Sequence, residues 1–140
     1  MDYATQEALF EIPTGYGDAS LNRLVYKRPT GAIHVVISRT PAQGKTLAQL
    51  TAIRLRDQQR ALPFFELAQQ SERLVSGAPT ADVSLFYADA DRKIYQRSAS
   101  FLVGGNLALL AVQGPTAARE EIDGMFEHAL GTLVFRQRGN

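Results

Sequence analysis

The sequence predicts an α+β domain: an antiparallel sheet of about six to seven strands carrying two main helices, in the order β-β-β-α-β-β-β-β-α. Three observations lead there. Apolar stretches of strand length come in runs, three before the first helical segment and four after it, and strands in runs favour antiparallel sheets over βαβ units. Short turn sequences separate neighbours: Pro29-Thr30-Gly31, Asp89-Ala90-Asp91 and Gly104-Gly105-Asn106. Only two segments carry apolar residues at helical spacing.

The first strand is expected over residues 8–12, where Pro13 stops it, and Thr14-Gly15-Tyr16-Gly17-Asp18 is turn chemistry. Strands follow over 21–27 and 32–39. Thr46 opens the first helix with Gln49 three residues on, a capping box in which each side chain satisfies a backbone amide. Leu47, Leu50, Ile53 and Ala61 are its expected inner stripe, Arg56 to Arg60 its outer face, and Pro63 its end. Strands are expected over 65–74, 82–88, 93–103 and 107–112. The second helix is the clearest element: Ala118, Ile122, Met125, Phe126, Ala129, Leu130 and Leu133 form one wide apolar stripe. Thr116 is its expected cap and Gly131 its expected stop, while Gly124 inside it weakens it by ~1 kcal/mol.

One domain, residues 1–140, is the natural count for this length, and such a chain buries roughly two-thirds of its unfolded surface. A net charge of +1 with scattered Lys and Arg leaves no nucleic-acid footprint. The absence of cysteine excludes disulfide scaffolds and thiol chemistry. The start, Met1-Asp2-Tyr3-Ala4-Thr5-Gln6-Glu7, has neither the basic nor the apolar region of a signal peptide, and no apolar run reaches the ~20 residues of a membrane span. A cytoplasmic protein without direct membrane insertion is the expectation.

Reactive constellations are missing from the pattern. His34 sits in a strand and His128 on the second helix, without the closely spaced partners of a metal site. Asp89 with Asp91 and Glu120 with Glu121 occupy a turn and a first helical turn, where carboxylates serve turn and dipole roles. Gly44-Lys45-Thr46 echoes the end of a phosphate loop, but Arg39 stands where its first glycine belongs. Neither an enzyme nor a cofactor is expected.

The strands are more informative. A strand with one wet face alternates apolar and polar residues. Leu21, Arg23 and Val25 share one face of the second strand, with Asn22, Leu24 and Tyr26 on the other. In the third strand Ile33, Val35 and Ile37 are a core face, while Ala32, His34, Val36 and Ser38 mix apolar and hydrogen-bonding groups. In the long strand Ile94, Gln96, Ser98, Ser100 and Leu102 form a semi-polar face. A solvated face is one reading. A groove that accepts an apolar segment is the other, its small and amide side chains packing as they do between helices in a bilayer.

Phe10-Glu11-Ile12-Pro13, Asp18-Ala19-Ser20-Leu21-Asn22, Val36-Ile37-Ser38-Arg39 and Leu62-Pro63-Phe64-Phe65 occur in that order. With the element order, they resemble the effector-associated (Eag) chaperones of bacterial type VI secretion, members of the wider DcrB-like and PsbP-like fold, over nearly the whole chain. The resemblance implies a non-catalytic, cytoplasmic homodimer. Such a chaperone shields the N-terminal transmembrane helices of a PAAR/Rhs-type effector until loading onto the VgrG spike. It also implies groove positions. Leu21 and Val36 fit the family's apolar ones, and Arg23 departs where an aliphatic residue is expected, though its stem can lie along an apolar ligand. Hydrophilic positions fall near Arg54 and near Gln96-Arg97, and Gln96 is favoured because it shares a face with Ser98. The expected groove is therefore Leu21, Arg23, His34, Val36, Gln96 and Ser98. The alternative is a PsbP/DcrB-like binding module of the cell envelope without a chaperone role.

Overall fold

The computed structural model describes residues 8–13 and 20–139. Its elements are β1 (Ala8–Pro13), β2 (Ser20–Tyr26), β3 (Ile33–Pro41), α1 (Leu47–Ala61), β4 (Glu66–Val75), β5 (Ala78–Asp89), β6 (Arg92–Val103), β7 (Asn106–Pro115), a 3-10 turn (Thr116–Ala118) and α2 (Arg119–Gly139). The fold class is the expected one. All seven strands join one antiparallel sheet in the order β1-β2-β3-β7-β6-β5-β4.

That order follows from two meanders. β1 to β3 zip locally, and β4 to β7 zip locally through two-residue turns. Ser76-Gly77 and Gly104-Gly105 have positive φ at both residues, which suits the right-handed twist of the strands they join. The sequence reading left 75–81 open. The Ser76-Gly77 turn fills that gap and starts β5 at Ala78. β7 then adds beside β3, so α1 carries the chain from mid-sheet to the far edge across one face.

α2 covers the other face. Ile122, Phe126 and Leu130, at 1% exposure or less, pack on Ile33, Tyr95, Ala99, Phe101, Leu110 and Val112. Fully burying side chains of this size is worth ~1.5–3 kcal/mol each. Gly114 permits the close approach: a Cβ there would stand 3.3 Å from Ile122 Cδ1 and 3.2 Å from the Ala32 carbonyl oxygen.

Three helix expectations are corrected. Thr116 is not the cap of α2, because residues 116–118 form a tight turn first and α2 begins at Arg119. Gly131 does not stop α2, which continues through Gly139. On α1 the capping box is present, Gln49 N donating to Thr46 Oγ1 at 3.1 Å and Thr46 N to Gln49 Oε1 at 2.9 Å. Of its expected faces, Arg56, Asp57, Gln59 and Arg60 are exposed and Leu47, Leu50 and Ile53 half-buried, while Ala61 is exposed. Thr51 is the buried residue, and Arg54 and Gln58, the latter expected outward, reach the sheet.

Candidate functional site

Cross-strand pairing places the expected groove residues on one face. Arg23 pairs with Val36, Val36 with Ala111, Ala111 with Ser98, and Ser98 with Val83, a single row across five strands. One flanking row runs Leu21, Ser38, Leu109, Ser100; the other runs Val25, His34, Gln113, Gln96. Directly opposed residues in a sheet share a face. All six expected residues therefore lie on the α1 side, while Arg97 points to the α2 side.

The face is divided. α1 packs on β5 and β6. Beneath it Gln96 and Ser98 are buried, 6% and 0% exposed. Beyond it Leu21, Val25, His34, Val36, Ser38, Leu107 and Leu109 are half-buried and Arg23 is exposed. So Gln96 and Ser98 form the floor below the helix, and the β2 and β3 residues form an apron beside it.

Under α1 the contacts are polar. Arg54 Nη1 donates to Ser98 Oγ at 3.0 Å and Nη2 to Gln96 Oε1 at 3.3 Å. Gln58 Nε2 donates to Gln96 Oε1 at 3.0 Å, and Gln96 Nε2 to Gln113 Oε1 at 2.7 Å. Burial depresses the Arg54 guanidinium to about 10, the direction expected when desolvation disfavours a cation. None of the ion pairs among the described residues includes it. Gln58 Oε1 is buried and has no hydrogen-bond partner within the described residues, where native structures leave few such atoms.

Beside Arg54 and Gln58, α1 holds apolar residues at the mouth of a cleft. Leu50, Ile53, Asp57 and Ala61 form one wall, Gln96 and Gln113 the floor, and Leu107 and Tyr87 the opposite rim. The volume is about 580 Å³ and the cleft is open. Burial raises the Tyr87 hydroxyl pKa, and its hydrogen bond with Gln113 opposes that. Tyr87 also borders the next depression, where Phe64 stands 87% exposed at φ 55°. A bulky side chain in the left-handed region is a genuine outlier, worth ~1–3 kcal/mol of strain.

Burial lowers the His34 pKa below 6.5, and Arg23 and Arg92 push the same way. No cluster of three metal-ligating groups occurs among the described residues. Sequence reasoning missed Gln58, Gln113 and Tyr87. Gln58 was assigned outward because glutamine is common on wet helix faces, and Gln113 lay one residue beyond the expected end of its strand. The opposition of Gln113 to both His34 and Gln96 is a register fact that the sequence shows only once β3, β6 and β7 are known to be neighbours.

The sequence pattern of the DcrB family matches residues 7–131. The chain belongs to the DcrB family. No curated protein matches it. Among solved structures this family member is similar to PA94 of Pseudomonas aeruginosa, a protein of unknown function, with TM-score 0.73 and 20% identity over 89% of this chain and 94% of that one. LpqN, involved in cell envelope biogenesis of Mycobacterium tuberculosis, gives 0.55 and 12% over 84% and 78%. The cyanobacterial PsbP of Synechocystis gives 0.56 and 14% over 86% and 78%. At these identities the likeness establishes the fold, which is PsbP-like as expected. Among the described residues, no helix of this DcrB-family chain is long and apolar enough to cross a membrane.

Proposed function

We propose that this DcrB-family chain is an effector-associated chaperone of type VI secretion, cytoplasmic and non-catalytic, which shelters an apolar N-terminal helix of a PAAR/Rhs-type effector before loading onto VgrG. One observation carries the reading: the open cleft beside α1. Thr51, Arg54 and Gln58 take the sheet side, and half-buried Leu50 and Ile53 with Ala61 line the cleft, apolar surface that the chain's own core covers only in part. Such a lining suits a hydrophobic guest.

The apron extends that surface. Leu21, Val25, Val36 and Leu109 offer apolar contact, with His34, Ser38 and Gln113 among them. Covering roughly 600 Å² of a client helix is worth about 15 kcal/mol gross at ~25 cal/mol per Å², much of it offset by association and ordering costs. The floor supplies specificity. A client polar group reaching Gln58 Oε1 or the spare donors of Arg54 would find a desolvated partner, where hydrogen bonds discriminate best.

Coexpression with the apolar N-terminal segment of a PAAR/Rhs-type protein from the same genome tests this. The expected result is a soluble complex that survives purification. Val36→Gln should lose the client while the circular dichroism of the chaperone stays unchanged. A client that stays insoluble beside the native chain, or that Val36→Gln still holds, rejects the cleft as its seat. The rival is a cell-envelope binding module; LpqN, of similar fold, is involved in cell envelope biogenesis. It would show as export of the native gene product out of the cytoplasm.

A further inference from the structure

Arg54 is a cation without a counter-ion. Its acceptors among the described residues are neutral, Ser98 Oγ at 3.0 Å and Gln96 Oε1 at 3.3 Å, so most of its five N–H donors have no partner there. Asp57, the carboxylate on the cleft wall, is exposed and forms no ion pair with it among the described residues. Cations taken out of water are ordinarily paired, because an uncompensated buried charge is costly.

A second open group stands beside it. Gln58 Nε2 donates to the same Gln96 Oε1, at 3.0 Å, and Gln96 Nε2 donates to Gln113. Exchanging the two ends of the Gln96 amide would break all these bonds, so the Gln58 amide is held with its nitrogen spent and its oxygen buried and unpartnered. Because Arg54 and Gln58 meet at one atom, the unpaired cation and the unpaired acceptor lie within the span of one small head group. Leu50, Ile53, Leu62 and Leu107 line the cleft around them. Its volume, about 580 Å³, falls in the ~300–1,000 Å³ range of small-molecule sites.

We propose that the cleft binds a single-chain acyl carboxylate with a hydroxyl near its head: the carboxylate pairs with Arg54, the hydroxyl donates to Gln58 Oε1, and the chain lies along the leucine and isoleucine wall.

Each part of this guest supplies what one part of the cleft lacks. Arg54 lacks an anion, and a planar guanidinium matches a carboxylate through two parallel N–H groups. Gln58 Oε1 lacks a donor, which a plain carboxylate does not have and a hydroxyl does. The wall offers hydrocarbon contact, which suits a tail without polar atoms. Such a guest is independent of the chaperone role: it would occupy the free chain and compete with a client helix for the same wall.

Titration calorimetry on the native chain without a client tests this. 3-Hydroxydecanoate, kept below its micelle-forming concentration, should bind saturably. Decanoate should bind several-fold more weakly, decyltrimethylammonium should not bind, and acetate should not compete. Arg54→Met should weaken 3-hydroxydecanoate about tenfold or more, the worth of a hydrogen bond to a charged group, with unchanged circular dichroism, and Arg54→Lys should recover part of the loss. Gln58→Leu should bring the two carboxylates level. Equal binding of the cationic and anionic heads by the native chain, or a 3-hydroxydecanoate affinity that Arg54→Met leaves unaltered, overturns the proposal, and parity of the two carboxylates on the native chain overturns the hydroxyl's place at Gln58. A native chain that binds no 3-hydroxydecanoate yet yields a soluble client complex on coexpression would sink this guest and leave the chaperone role standing.

Discussion

The two arginines that enter this sheet do opposite things. Arg97, on the α2 face, grips Asp82 with two bonds of 3.0 and 2.8 Å, reaches Asp123 at 3.2 Å and Glu127 at 3.1 Å, and lies 4.5 Å over the Phe126 ring. Its hydrogen bond to Asp82 raises its pKa further. Arg73 joins through Asp82 at 3.3 Å and Glu127 at 2.8 Å, and Tyr95 Oη donates to Asp123 Oδ1 at 2.7 Å. Arg54, on the α1 face, has only a hydroxyl and an amide as described partners, and burial depresses it. One side of the sheet is closed and charge-balanced. The other is held open with a desolvated cation and an unpaired amide oxygen. A protein built only for stability would treat the two alike, since an unpaired buried cation is a liability.

The largest effect that separates the faces is Arg97→Met. It leaves Asp82, 7% exposed, with Arg73 as its remaining ion-pair partner. Breaking a buried pair by removing one partner costs about 3–5 kcal/mol. Urea denaturation should show a midpoint shift of that size with an unchanged slope. A loss below about 1 kcal/mol, the level of an exposed pair, would mean the network is ornamental.

Arg54→Met is the counterpart. It removes a desolvated charge and leaves Gln96 its bonds to Gln58 and Gln113. Removing the cation also removes its desolvation cost, which offsets the lost hydrogen bonds to Ser98 and Gln96. Unfolding free energy should stay within about 1 kcal/mol of the native chain, while client retention in the coexpression assay falls. Stability lost as heavily as in Arg97→Met would make Arg54 a structural residue and dissolve the contrast.

The difference between the faces also decided what was legible. The α2 side announced itself, because Ile122, Phe126 and Leu130 at helical spacing and Ile33, Val35 and Ile37 at strand spacing can only be a core. The α1 side was half legible. Its strand residues were placed on one face by alternation alone, and that alternation holds across β2, β3 and β6. On α1 the exposed Arg56, Asp57, Gln59 and Arg60 were legible, but Leu50 and Ile53 are only half-buried, and Arg54 and Gln58 reach the sheet. No local rule picks out two polar residues on the inner side of a helix. The signal is non-local, in the depth of Ser98 and Gln96, which a serine- and glutamine-bearing strand hints at only by being semi-polar. The Arg97 network was also out of reach, since Asp82, Asp123 and Glu127 come from distant segments. The Ser76-Gly77 turn was within reach, because a serine-glycine pair between strand-like runs is a recognised hairpin signal.

The smallest effect lies on the apron. His34 is half-buried opposite Val25 and Gln113, and its pKa is lowered by burial first, then by Arg23 and Arg92. The folded chain thus binds this proton less readily than the unfolded chain does. The stability this contributes is fully present above pH 6.5, the ordinary histidine value, and is lost as pH falls through the lowered folded value. Melting temperature should decline more steeply below pH 6.5 in the native chain than in His34→Gln, with the two curves parallel above it. Client binding should weaken in the same window, because a protonated imidazole beside Arg23 puts a second cation on a surface that serves an apolar guest. A client whose retention tracks pH equally in native and His34→Gln chains would be seated away from the β2–β3 apron, on the cleft alone.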